Sequence, residues 1–169
     1  MRRLETFGQE EHRIDNAILY LEEQYSKLNI PPLKEFYSAS EMALLLACDH
    51  STVLSLIHAK LLISGAGRGR GVIPCRSLID FLDSRKRNVY RPIDDVLFQG
   101  MISPASLAEE IKVKLSNLDY LIRTGKLPSF NIGVYERPYY RLPLIETKIA
   151  FKKLKQQLFN PKKTLESYI

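Results

Sequence analysis

The strongest indication of the fold is the stretch from residue 37 to residue 71, YSASEMALLLACDHSTVLSLIHAKLLISGAGRGRG. Ser38 suits the N-cap of a helix, because its side-chain oxygen can accept a hydrogen bond from a free amide of the first turn. Glu41 stands where the reciprocal partner of a capping box belongs, and Asp49 marks the N-cap of a second helix. A glycine- and arginine-rich hairpin and a third amphipathic segment, Leu78 to Leu82, follow. The predicted order is helix, short turn, helix, hairpin, helix.

This order resembles the winged helix-turn-helix domain of the excisionase and MerR families. The resemblance covers residues 37–82, and Arg68-Gly69-Arg70 stands at the place of the wing. The matching apolar and neighbouring positions are Ala43, Leu46, Thr52, Val53, Leu56, Ile57 and Leu62. The resemblance implies binding to duplex DNA, with the second helix in a major groove and the hairpin against the backbone or the minor groove.

A second copy of the pattern appears when the chain is shifted by 65 residues. The paired positions, without a gap, are Ser38–Ser103, Met42–Leu107, Ala43–Ala108, Leu46–Ile111, Val53–Leu118, Ile57–Ile122 and Leu62–Leu127. The second copy, ISPASLAEEIKVKLSNLDYLIRTGKLP, resembles the family more closely over residues 121–128, and Gly125 suits the end of a helix. Self-similarity at a fixed offset predicts a mainly α fold with two tandem winged helix-turn-helix modules that carry short β-hairpin wings.

The domain boundaries predicted from this repeat are residues 1–36 for an N-terminal amphipathic helix, 37–91 for the first module, 92–101 for a linker and 102–169 for the second module with a basic C-terminal helix. The apolar seam of the N-terminal helix is Ile14, Ile18, Leu21, Tyr25 and Leu28. This helix either packs on the first module or forms a homodimer through a short coiled coil. In the linker, Val96, Leu97 and Phe98 are expected to pack against one of the modules.

Charge is distributed unevenly along the chain. The net charge is +6, but residues 1–36 hold five basic and seven acidic residues, so the remainder carries +8. An excess of this kind favours a polyanionic partner. The basic residues between Arg85 and Arg91 form either a solvated linker or a set of phosphate contacts.

The residues expected to contact DNA lie on the second helix of each module, on the wings and on the C-terminal helix. In the first module they are His50, Ser51 and Ser55, together with Arg68 and Arg70 at the wing. In the second module they are Lys114, Ser116, Asn117, Tyr120, Arg123 and Arg137, with Lys152 on the C-terminal helix. Asparagine pairs with adenine and arginine with guanine, and lysine suits phosphate. The second helix of the first module carries no lysine or arginine, so the chemistry for reading bases is concentrated in the second module.

Two features leave alternatives open. The arginine hairpin suits a narrow minor groove, whereas a solvated turn and an RNA-binding segment are the other interpretations. The C-terminal helix, residues 144–159, has apolar Ile145, Ile149, Leu154 and Leu158 and six lysines between Lys148 and Lys163. It is expected to cover the second module and to direct its lysines towards the DNA backbone, while binding to a membrane surface is the weaker alternative.

The predicted function is that of a double-stranded DNA-binding protein, a repressor-like transcriptional regulator in the bacterial cytoplasm or nucleoid. The alternatives are an excisionase-like architectural factor of a mobile element and a protein-interaction module that binds no DNA. The histidines and cysteines lack metal-ligand spacing, and no catalytic constellation occurs, so neither an enzyme nor a cofactor is expected. No small-molecule substrate is evident. The chain has no run of about 18 apolar residues and no apolar leader, which argues against a membrane partner.

Overall fold

The computed structural model describes residues 11–27, 33–65, 72–134 and 137–159, which are mainly helical with two small antiparallel sheets, as expected. The helices are α1 (Glu11–Lys27), α2 (Ala39–Leu46), α3 (His50–His58), α4 (Cys75–Arg85), α5 (Ile93–Gln99), α6 (Pro104–Ile111), α7 (Leu115–Arg123) and α8 (Leu144–Phe159). The strands are β1 (Phe36–Tyr37), β2 (Ile73–Pro74), β3 (Lys86–Arg87), β4 (Met101–Ile102), β5 (Ser129–Asn131) and β6 (Tyr140–Pro143). Strand β1 pairs with β2, and the second sheet has the order β3-β5-β6-β4.

The same order of elements occurs twice. We call residues 36–85 the first repeat (β1-α2-α3-β2-α4) and residues 101–159 the second repeat (β4-α6-α7-β5-β6-α8). A shift of 65 residues places β1, α2 and α3 on β4, α6 and α7 with identical bounds. The offset predicted from the apolar positions is therefore confirmed in the backbone.

The helix ends repeat as well. Ser38 and Ser103 are the N-caps of α2 and α6, and each side chain accepts a hydrogen bond from the amide three residues further on. Both helices end at a residue in the left-handed region, Ala47 with φ 52° and Lys112 with φ 57°. Because a left-handed residue stops the ladder of helical hydrogen bonds, α2 and α6 end at equivalent positions.

The strand pairs have the same register in both repeats. Phe36 lies opposite Pro74 in the first repeat, and Met101 lies opposite Pro143 in the second. The first partners differ by 65 positions and the second partners by 69, so the second repeat has four more residues before its closing strand. These residues lengthen the hairpin between α7 and α8.

The start of α2 follows directly from its sequence. The Ser38 hydroxyl accepts from the Glu41 amide at 3.1 Å, and the Glu41 carboxylate accepts from the Ser38 amide at 3.0 Å, which confirms the capping box. A hydrogen bond from the Lys34 ammonium, with that from the Ser38 amide, lowers the pKa of Glu41 to about 2. Asp49 is the N-cap of α3, but its carboxylate makes no capping hydrogen bond; it lines a cleft between the repeats instead.

The chain has two hydrophobic cores. Each core includes residues from outside the module to which the predicted domain boundaries confine it. The first core combines the first repeat with Val96 and Leu97 of α5 and with Phe130 and Ile132 of the second repeat. The predicted linker is therefore mostly a helix, whose Val96 and Leu97 pack on the first repeat; the side chain of Phe98 lies outside the described part of the chain. The second core contains the second repeat together with one face of α1.

The predicted packing of the N-terminal helix on the first module is wrong. Ile14, Ala17 and Leu21 of α1 are buried in the second core, against α6 and α8. Ile18 is half-buried and Tyr25 is exposed, so the buried face is rotated from the predicted seam; Leu28 lies outside the described residues. Complementary charge accompanies this packing, because Asp15 and Glu22 of α1 pair with lysines of α8. Ile14 and Leu21 of the predicted seam are thus buried within the chain.

The C-terminal helix has its predicted bounds but a different buried face. Leu144, Thr147, Phe151 and Leu154 are buried, whereas Ile145 and Ile149 are half-buried. The buried residues follow one another at intervals of three and four, which is the spacing of a single helical face. Of the predicted apolar residues whose side chains are described, Leu154 is thereby placed in the second core; the side chain of Leu158 lies outside the description.

The repeats are joined by backbone pairing as well as by the shared first core. Strand β3, which follows α4 of the first repeat, pairs with β5 of the second, with Lys86 opposite Phe130. The Arg87 guanidinium donates to the Arg123 carbonyl at 2.8 Å, and the Asn88 amide donates to the Gly125 carbonyl at 2.7 Å. This strand pair, the side-chain hydrogen bonds beside it and the burial of Phe130 and Ile132 in the first core fix the position of the two repeats.

Candidate nucleic-acid interface

The first candidate surface is the outer face of α3. The axes of α2 and α3 meet at 109°, and three residues connect the helices. Crossings of roughly 90–120° over a connection of this length are typical of helix-turn-helix pairs. The left-handed residue Ala47 and the hydrogen bond from the Cys48 amide to the Ala43 carbonyl, at 3.0 Å, fix this turn.

The outer face of α3 carries serines and histidines, together with the exposed Leu54. His50, Ser51 and Ser55 are exposed as predicted, and Val53 and Leu56 are buried beneath them. The Ser55 hydroxyl donates to the Ser51 carbonyl at 3.0 Å, so its proton is already used within the helix. This surface offers few donors for DNA.

The hairpin of the second repeat borders this surface. Val134 lines a cleft of about 470 Å³ together with Leu54, Ser55 and His58 of α3. The hairpin has strands near the predicted positions. It is held in place because Phe130 and Ile132 are buried in the first core. It therefore packs against the neighbouring repeat, and the sequence did not indicate this.

The second candidate surface is the outer face of α7. Lys114 is the N-cap, Ser116 and Arg123 are exposed, and Asn117 and Tyr120 are half-buried. All five lie on one helix of nine residues and its cap. Tyr120 packs partly on the second core, so much of its ring supports the helix. The Arg123 Nε donates to the Asp119 carbonyl at 3.4 Å, which is a weak hydrogen bond on an exposed side chain.

The remaining predicted contacts are dispersed. Arg137 is exposed in the hairpin between β5 and β6, and Lys152 is exposed on α8. Arg68 and Arg70, on the first hairpin, lie outside the described residues. The predicted row of lysines on α8 is partly neutralised by α1, since Lys155 is 2.7 Å from Asp15 and Lys148 is 3.8 Å from Glu22.

The basic run at the boundary of the repeats has a structural role. The Arg85 guanidinium donates to the Gly133 carbonyl at 3.2 Å and lies 5.3 Å from the centre of the Phe81 ring. Arg87 holds the Arg123 carbonyl, and Lys86 is 2.8 Å from Asp83. Arg85 and Arg87 thus connect the repeats through carbonyl groups, and Lys86 pairs with a neighbouring carboxylate.

One buried cation was not singled out from the sequence. Arg141, on β6, is only 4% exposed, and its guanidinium lies 3.9 Å from the centre of the Tyr139 ring. Strand alternation alone does not indicate it, because the neighbouring Leu142 and Pro143 are buried as well. The charge of Arg141 lowers the pKa of the Cys48 thiol, but the larger effect of burial raises that pKa to about 11.

The chain matches no protein-family model, and no curated protein or solved structure is significantly similar to it. Within the described ranges, no single helix is long and apolar enough to cross a membrane.

Proposed function

We propose that the chain binds double-stranded DNA through two tandem winged helix-turn-helix repeats. The duplication carries the proposal: β1-α2-α3 and β4-α6-α7 have identical bounds after a shift of 65 residues, the same caps and the same strand register. In each copy a short helix follows a tight turn and exposes a polar face. A helix presented in this way fits the major groove of B-DNA.

The second repeat would supply most of the sequence reading. On α7, Asn117 would pair with adenine, Arg123 with guanine, and Lys114 would contact a phosphate. The first repeat would contribute hydroxyl and imidazole contacts from α3 and would position the chain. Arg137, Lys152 and the first hairpin's Arg68 and Arg70 would add phosphate or minor-groove contacts.

The fixed join between the repeats limits the DNA that fits. Because β3 pairs with β5 and Phe130 is buried in the first core, α3 and α7 cannot move independently without breaking these contacts. A site with two half-sites should therefore require one spacing, and an added base pair would rotate one half-site by about a tenth of a helical turn. Such a chain suits a repressor-like regulator or an excisionase-like architectural factor in a bacterial cytoplasm or nucleoid.

The proposal is tested by fluorescence anisotropy of a labelled mixed-sequence duplex at several salt concentrations. About four phosphate contacts would give a log–log slope of about −3.6. Arg68→Ala and Arg70→Ala should weaken binding to all duplexes, whereas Arg123→Ala should relax the preference at particular positions of a selected site. Arg76→Ala is the matched control, because Arg76 is exposed on α4 and pairs with Asp80. Absence of binding at low salt would refute the proposal.

The second candidate function is that of a protein-interaction module, and exposed apolar residues favour it. Leu44 on α2 is 83% exposed and Leu54 on α3 is 47% exposed, next to a face without lysine or arginine. A homodimer through α1 would have to use its outer face, where Leu19 and Tyr25 are exposed. A mass above that of the monomer in gel filtration, together with no salt-dependent DNA binding, would support this function over the first.

A further inference from the structure

A cleft of about 510 Å³ lies at the boundary between the repeats. The first repeat contributes residues 47–49, the turn between α2 and α3. The second repeat contributes the start of α6, Leu115 and Asp119 on α7, and residues 138–141 of the hairpin. Pockets that hold small organic molecules have volumes of about 300–1,000 Å³, mostly apolar walls and a few convergent polar groups. This cleft has that size and that composition.

Arg141 gives the cleft a buried positive charge. Its Nη1 donates to the Tyr140 carbonyl at 2.7 Å, while its Nε is buried without a hydrogen-bond partner. Among the described residues it forms no ion pair with a carboxylate. A guanidinium stays charged at all accessible pH values, so burying one without an anion is unfavourable. An anion bound in the cleft beside the guanidinium would balance this charge.

Two carboxylates on the other walls of the cleft restrict which negatively charged group can bind beside Arg141. Asp49 is exposed and makes no capping hydrogen bond with α3, and Asp119 is half-buried on α7. The Cys48 thiol, with its pKa raised to about 11 by burial, stays neutral at physiological pH and belongs to the apolar wall. The charged groups are thus one guanidinium and two carboxylates, which repel a phosphodiester or another purely anionic ligand.

The geometry points to a binding site for a small zwitterion, an α-amino acid, whose carboxylate is held by Arg141 and whose ammonium faces Asp49 and Asp119. The ring of Tyr139 and the side chain of Leu115 would pack against its apolar part. Such a ligand pairs with the buried guanidinium and with both carboxylates. A simple anion would pair with the guanidinium but would be repelled by the carboxylates.

Occupation of the cleft would act on DNA binding, and this consequence rests on the proposed function. Asp49 precedes α3 and Asp119 lies on α7, so a ligand held by both would contact both proposed reading helices. Its ammonium would bring a positive charge to both helices, and this change of charge would alter their affinity for a polyanion.

The test is thermal unfolding of the full chain with each standard amino acid as the probe. At a ligand concentration of about 100 times Kd, the expected rise in Tm is about 5–10 °C. Arg141→Gln should abolish this rise, and Asp119→Asn should weaken binding at least tenfold. Arg76→Gln, which removes an exposed arginine outside the cleft, should leave the rise unchanged. Asp49→Asn serves with Asp119→Asn if Arg141→Gln does not fold.

Three results would overturn the site. The first is that no amino acid raises Tm. The second is that the rise persists unchanged in Asp49→Asn and Asp119→Asn. The third is that Arg141→Gln instead lowers the affinity for duplex DNA and makes its salt dependence shallower, which would assign Arg141 to a phosphate contact. Amino-acid binding by a chain that binds no DNA would support the site and refute the proposed function. Amino-acid binding that leaves DNA affinity unchanged would support the site and refute its regulatory consequence.

Discussion

Replacement of Phe130 by alanine tests whether the two repeats form one cooperative unit. Phe130 belongs to β5 of the second repeat, but it is 0% exposed and lies in the first core. A Phe→Ala change at a fully buried position costs about 3–5 kcal/mol, from lost transfer free energy and the cavity left behind. Domains are stable by about 5–15 kcal/mol in total, so this loss is a large part of the stability.

The assay is urea and thermal unfolding followed by circular dichroism. For a chain of 169 residues, a loss of about 4 kcal/mol lowers Tm by roughly 8–16 °C. Because Phe130 connects the repeats, a single transition should shift as a whole, with the amides of α2 and α7 losing hydrogen-exchange protection together. The control is Tyr90→Ala, since Tyr90 is 89% exposed and its removal should change stability by about 0.5 kcal/mol or less.

A loss of stability under about 1 kcal/mol would place Phe130 outside a packed core and would contradict a single cooperative unit. Two separate unfolding transitions, of which only one shifts, would contradict it equally. That second result would mean that the repeats unfold independently, and the fixed spacing proposed for DNA would lose its physical basis.

Four further predictions concern a capping glutamate, two left-handed positions and the reading face. The pKa of Glu41 is lowered to about 2 in the folded chain from its ordinary value of 4.5. The ionised carboxylate therefore contributes stability above pH 4.5, and this contribution is lost as the pH falls towards 2. In urea unfolding, Glu41→Gln should be less stable than the wild type at pH 7 but not at pH 2. Gly125 has φ +77° and an added Cβ would lie 2.9 Å from the Asn88 amide nitrogen, so Gly125→Ala should cost at least about 1–2 kcal/mol in chemical denaturation. Lys60 occupies the equivalent position in the first repeat with φ 61°, and Lys60→Gly should raise stability by about 1 kcal/mol; a loss would show that the left-handed strain is compensated there. In a competition assay with variants of a selected duplex, Arg123→Ala should lose about 1–3 kcal/mol of discrimination at one base pair, whereas Arg76→Ala should lose none.

Much of the fold could be predicted because its signals are local. An N-cap serine and apolar residues at helical spacing act within a few turns of chain, so they specify α2 and α6 wherever these helices pack; α2 has the added glutamate of a capping box. The 65-residue offset predicted the identical bounds of the paired elements. The face of α7 could be described for the same reason, since spacing along a helix determines which side chains share a surface.

The two repeats, their helix ends and the polar residues of α3 and α7 follow from local sequence. What each amphipathic face contacts depends on the packing of distant parts of the chain. An apolar stripe states that a face must be buried but not by which partner, and α1 is buried by the second repeat because its apolar face and its acidic residues both match α8. Likewise, a run of arginines does not reveal whether it meets solvent, phosphate or a carbonyl group. Arg85 and Arg87 became part of the join because the chain brought the carbonyl groups of Gly133 and Arg123 to them across a long sequence separation.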